Sequence, residues 1–191
     1  MAEERNRNQI IRKDGKECFV ESLSDAFEIG RAHFVFASYD LSKPVGERQK
    51  NNISIYIDIA EVLELCRKME SGEMREVLRK KKEAGDNTPI QEWLGGTSAE
   101  KLHERGKTRE DGKSLSRVAK LLCGSKYDFM FVADSGPGEQ NEKGLIVPRF
   151  TGKGENHVVV SLSWEDLSEM MLMTQMHYKA WLAAWYDKQM R

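Results

Sequence analysis

The sequence predicts an α+β fold made of two antiparallel sheet-plus-helix halves related by a pseudo-twofold. Three observations lead there. Two phenylalanine blocks match, residues 33–40 (HFVFASYD) and 128–135 (DFMFVADS). Each is followed by an alternating apolar run, Ile53, Ile55 and Ile57 in one case and Val158, Val160 and Leu162 in the other. Alternation of period two marks a half-buried strand. Each run then enters a helix-start signal, Asp58 with Glu61 and Ser163 with Asp166. A side-chain oxygen at the first position can accept from free helix N–H groups, and an acid three residues on can bond back or favour the dipole. The second pair departs from the strict box, which prefers Glu or Gln.

The chain has 191 residues, 39% hydrophobic and 32% charged, with net charge −1. That length supports one sizeable core, and we read residues 1–191 as a single domain. The first half is assigned to residues 17–71, a basic helical and loop insertion to 72–114, and the second half to 115–191. Phe34 and Phe36 align with Phe129 and Phe131, and Ile53, Ile55 and Ile57 with Val158, Val160 and Leu162. The two matched offsets differ by ten residues, so the second connection is longer. It contains LIVPRF, residues 145–150, an extra strand or one arm of a hairpin.

Taken in order, residues 18–30 read as one or two short strands ending at a Gly30-Arg31 turn. The first helix runs from Ile59 to near Met69. Gly72 interrupts it, and a basic helical stretch, MREVLRKKKEA, follows. Residues 85–114 read as loop, with Trp93 able to dock them on the core. Residues 114–126 read equally as strand or short helix. The last helix, Trp164 to about Gln189, carries apolar residues almost all round. Such a helix is usually buried on most sides. It is either the central helix of the monomer or a contact with a second subunit, through Tyr178, Trp181 and Trp185.

Several functions are excluded by pattern. No apolar run reaches membrane-spanning length, and the N-terminal stretch lacks a secretory core, which places the protein in the cytoplasm. Three cysteines and four histidines are widely scattered, so neither a disulfide framework nor a metal site is expected. Gly106-Lys107-Thr108 and Gly112-Lys113-Ser114 lack the earlier glycine of a phosphate loop. Gly136 and Gly138 read as a turn rather than a dinucleotide fingerprint, since no third glycine and no helix is expected after them. No nucleophile motif and no catalytic constellation is present, so we expect no enzyme, no catalytic residue and no cofactor.

Charge is uneven. Between Arg67 and Lys120 stand 14 basic and 10 acidic residues, while the flanks are acidic. Aromatic and basic residues interleave at strand and hairpin ends. Arg31 and His33, Tyr39 with Lys43, Arg48 and Lys50, Lys126 with Tyr127, and Arg149, Phe150 and Lys153 form these groups, and Tyr56 lies on the exposed side of its strand. Cations track phosphates and aromatic faces stack on bases, so the mixture suits a single-stranded nucleic acid.

The FVFASYD…ISIYIDIAEVLEL and FMFVADS…HVVVSLSWEDLSEM patterns resemble the Whirly fold over residues 17–71 and 115–190. Each half is also similar to the subunit of the transcription coactivator positive cofactor four. The chain further resembles accessory proteins of bacterial mobile elements. The lysine-rich, glycine-containing stretch of plant Whirly sheets is absent, and the central insertion departs from the family pattern. The resemblance implies a non-enzymatic protein that binds single-stranded DNA, or RNA, on curved sheets and forms a homo-oligomer through its helices. The alternative is a protein-interaction or regulatory module acting through the Met- and Trp-rich last helix.

Overall fold

The computed structural model describes residues 8–191; the first seven residues of the polar N-terminal stretch lie outside the described residues. Among the described residues the architecture is α+β, with two antiparallel sheets and four α-helices. The first sheet is a meander of β1 (Gln9–Asp14), β2 (Cys18–Leu23), β3 (Arg31–Tyr39) and β4 (Gln49–Asp58). Helices α1 (Ile59–Glu70) and α2 (Glu73–Ala84) follow. The second sheet orders β5 (Gln91–Thr97), β6 (Ser114–Cys123) and β7 (Phe129–Gln140) side by side. The far edge of β7 is shared between β8 (Ile146–Pro148) and β9 (Asn156–Leu162). Helix α3 (Ala99–Glu104) joins β5 to β6, and α4 (Trp164–Met190) follows β9.

Cross-strand register explains the core. Ile57, Ile55 and Ile53 stand opposite Ala32, Phe34 and Phe36 of β3. Leu162, Val160 and Val158 stand opposite Phe129, Phe131 and Ala133 of β7. Directly opposed residues share a face, so each set forms one apolar surface. These surfaces meet at Phe131, whose ring lies 4.7 Å from Phe36, 5.8 Å from Trp93 and 6.0 Å from Phe34. Residues of both sheets, α1, α2 and α4 join in one buried cluster. Burying each phenylalanine contributes roughly 1.5–3 kcal/mol.

Counted back from the helix starts, Phe34 holds the register place of Phe131, because it opposes Ile55 as Phe131 opposes Val160. The sequence match of Phe34 to Phe129 is therefore displaced by two residues. A slip of two keeps every side chain on its face, so apolar patterning cannot detect it.

The strand-to-helix junctions differ. At α4 the Ser163 Oγ accepts from the Asp166 N–H at 3.1 Å, and Asp166 Oδ2 accepts from the Ser163 N–H at 3.1 Å. The box is complete although its third residue is Asp. At α1, Asp58 makes no capping bond; its Oδ1 accepts from Arg31 Nε at 3.0 Å instead. The first half of α4 is buried through Leu167, Met170, Met171 and Thr174. Thr174 and Ser22 share a hydrogen bond of 2.7 Å. Further along, Tyr178 and Trp181 pack on Phe27, at 5.4 and 6.1 Å. Trp185, Tyr186 and Met190 are exposed. The last helix, apolar almost all round, is thus buried over its first half and exposed toward its end.

Residues 85–114 are not a loop. They contain β5, paired with β6 along its whole length, and α3. Trp93 docks as expected, being only 6% exposed. Gly95 and Gly96 interrupt the strand's side-chain pattern, and its partner strand supplies the order that local preference does not. The ambiguous residues 114–123 form strand β6, and β1 precedes the expected start at residue 17. The basic stretch is helical as read, and LIVPRF supplies β8.

Candidate functional site

Three of the interleaved residues come together. Arg31 begins β3, Tyr56 lies two residues before the end of β4, and His33 pairs across to Tyr56. The His33 and Tyr56 rings stack at 4.4 Å with an interplanar angle of 14°. His33 is 7% exposed, and its Nδ1 lies 2.9 Å from Asp25 Oδ1. Tyr56 is 45% exposed, so one face is backed by imidazole while much of the residue meets solvent. Alternation along β4 causes this, since Ile55 and Ile57 take the core side.

The remaining candidates do not join that group. Tyr39 and Lys50 lie at the other end of the β3–β4 ladder. Tyr39 accepts from Arg12 Nη2 at 3.1 Å and packs on Phe19. Lys126 and Tyr127 occupy the β6–β7 turn, the Lys126 ammonium 5.9 Å from the Tyr127 ring. Arg149 is ion-paired with Glu139. Phe150 is a correction to the expected free ring at a hairpin tip. It lies over Gly136, where any Cβ would come within 3.1 Å of it. Lys153 is exposed in the same connection. One continuous face built from all ten residues therefore does not form.

The tertiary structure assembles a different set. A cleft of about 650 Å³ lies where the β4 edge of the first sheet approaches the β5 edge of the second. Arg31 and Tyr56 line it from one side. Arg117, Lys101 and Arg105 line it from β6, α3 and the residue after α3. Trp93 reaches it from the core. The alignment of β6 with β5 places Arg117 opposite Gly95. Its Nη1 donates to Thr97 Oγ1 at 3.0 Å, and no carboxylate lies within ion-pair distance among the described residues. Burial holds its pKa below the ordinary arginine value; the Tyr56 phenol opposes that shift and the Arg105 charge adds to it. Lys101 and Arg105 likewise have no carboxylate partner among the described residues, whereas Arg31 is held by Asp58. Three cations thus converge unneutralised beside an exposed aromatic ring.

The sequence singled out none of Lys101, Arg105 and Arg117 as a site residue, and Trp93 only as an anchor of residues 85–114 on the core. The only signal was the basic balance between Arg67 and Lys120, which contains all three cations. Among the described residues, no group of three or more His, Cys, Asp or Glu is placed to hold a metal. Burial pushes the Cys66 thiol up to about 11, which suppresses the reactive thiolate. Among the described residues, no helix is long and apolar enough to cross a membrane. Comparison with family models, curated proteins and solved structures finds no match.

Proposed function

We propose that the protein is a non-enzymatic binder of single-stranded nucleic acid, DNA in preference to RNA, and that the intersheet cleft is its interface. The observation that carries this reading is the half-buried Arg117, with no carboxylate partner, beside Lys101, Arg105 and the exposed Tyr56. A cation withdrawn from water without a counter-ion favours an anionic ligand. A ring open on one face favours an unpaired base. The topology is compatible with a duplicated, Whirly-like arrangement, since β1–β4 with α1 and β5–β7, β9 with α4 follow the same order.

Fluorescence polarisation with labelled single-stranded DNA, single-stranded RNA and duplex tests the reading. Single strands should bind best, with a log–log salt slope of about −0.7 per neutralised phosphate. Lys101→Ala with Arg105→Ala should flatten that slope by about two contacts, since both side chains are exposed and their loss leaves the core intact. Absent or salt-insensitive binding at low ionic strength sinks it.

A second reading rests on α4. Tyr178, Trp181 and Trp185 stack in succession, and Trp185 is 39% exposed. That surface suits self-association. Trp185→Glu is the proper test, because Trp181 also packs on Phe27 within the chain. Light scattering should show an oligomer that the variant dissociates; a monomeric wild type rejects it.

A further inference from the structure

The cleft contains unpaired charges of both signs. Glu28 and Glu100 line it, and neither has a cation within ion-pair distance among the described residues. A groove that only tracked phosphates would gain nothing from carboxylates, which repel them. A ligand that suits this lining must present hydrogen-bond acceptors to the guanidinium and donors to a carboxylate.

There is also room for it. Gly95 lies opposite Arg117 on the same face of the second sheet, and a Cβ built there would meet no atom within 4 Å. The strand therefore leaves an open notch beside the guanidinium. Of that guanidinium's five N–H donors, one is engaged by Thr97. The Trp93 indole N–H, buried at the same cleft, has no acceptor among the described residues.

Guanine matches this pattern better than the other bases. Its O6 and N7 form an adjacent acceptor pair that takes a guanidinium bidentately. Its N1–H and N2 amino group form an adjacent donor pair that suits the two oxygens of a carboxylate. Adenine offers one donor beside one acceptor on each edge, which suits an amide. Thymine and uracil carry a single N–H between two carbonyls that a carboxylate repels. Cytosine lacks the O6 and N7 pair.

We propose that the cleft reads an unpaired guanine, with Arg117 on its O6/N7 edge and Glu28 or Glu100 on its N1/N2 edge. This rests on the single-strand reading above and adds base preference to it. The test uses the full chain and a labelled oligo(dT) of about twelve nucleotides. One central residue is replaced by dG, dA or dC, or by an analogue of dG. The dG strand should bind about tenfold more tightly than plain oligo(dT). 7-Deazaguanine, which lacks N7, and hypoxanthine, which lacks the 2-amino group, should each lose most of that gain with the wild-type protein. Arg117→Lys keeps the charge but loses the fork, so the ratio of dG-strand to oligo(dT) affinity should fall to about one, whatever the change in overall affinity. Equal affinity for all four strands overturns the guanine proposal and leaves single-strand binding standing. Failure to bind any strand overturns both.

Discussion

The two sheets solve the same structural problem and leave different surfaces. In the first, His33 pairs with Tyr56 on the side away from the core; in the second, the equivalent register places hold Met130 and Ser161. Their core sides are alike, phenylalanine against a branched aliphatic residue in each. Their helix entries are not. Ser163 and Asp166 close a capping box, whereas Asp58 is drawn away by Arg31. Apolar packing therefore constrains both halves equally, while the polar positions are free to diverge. Arg31, Tyr56 and Asp58 all sit at the cleft end of β3 and β4, and there a local stabilising bond is exchanged for an arginine held beside the cleft.

Four measurements test this contrast. The largest effect is expected in the core. Phe131→Ala should cost about 3–5 kcal/mol in denaturant unfolding, and Phe34→Ala should fall at or below the lower end of that range. The reason is that Phe131 meets Phe34, Phe36 and Trp93, while among the described residues the ring of Phe34 meets only that of Phe131. Equal costs would mean that the intersheet aromatic cluster adds nothing beyond burial. Next comes binding. Tyr56→Ala should weaken single-strand binding by about 1–3 kcal/mol, whereas Ser161→Ala and Phe150→Ala should leave it unchanged. A loss at Phe150 as large as that at Tyr56 would move the interface to the β8–β9 connection.

The junctions come third. Ser163→Ala should destabilise by about 1 kcal/mol, the usual cost of a lost cap. Asp58→Ala should change stability by only a few tenths of that, since its ion pair with Arg31 is solvent-exposed. Reversed magnitudes would show that Asp58 caps α1 in solution. The smallest effect is in pH. Burial alone would raise the Asp166 pKa, but hydrogen bonds from Ser163 and Lys13 outweigh it and lower the carboxyl below its ordinary 3.8. The folded value is depressed, so this contribution is complete above 3.8 and is lost as the pH falls through the lowered native value. Asp166→Asn should flatten the acid limb of a stability-versus-pH curve there. An unchanged limb would mean that the box holds without its charge.

Much of this protein could be read one segment at a time. The alternation of Ile53, Ile55 and Ile57, and of Val158, Val160 and Leu162, identified two strands and their buried faces. The pairs Asp58/Glu61 and Ser163/Asp166 located two helix starts to the residue. Such signals work because each involves neighbours only a few positions apart, whose geometry is that of any strand or helix. The same locality explains the failures. Strand β5 was invisible because Gly95 and Gly96 carry no side-chain pattern, and its order comes from β6. The helical pattern of α4 did not show where its burial ends, because burial depends on what lies beside it.

The candidate site shows the boundary most clearly. That Tyr56 stands on the polar side of its strand follows from the residues around it. That Arg149 is neutralised by Glu139 and Phe150 is laid over Gly136 follows only from chain segments brought alongside. Arg117 is one basic residue among many until β5 and β6 align it with Gly95 and the two sheet edges converge. Periodicity and capping determine the elements, because the forces behind them act between neighbouring residues. Which cations lose their counter-ions, and which ring is left open, depends on desolvation and partner choice across the whole fold, and those are decided only when distant strands meet.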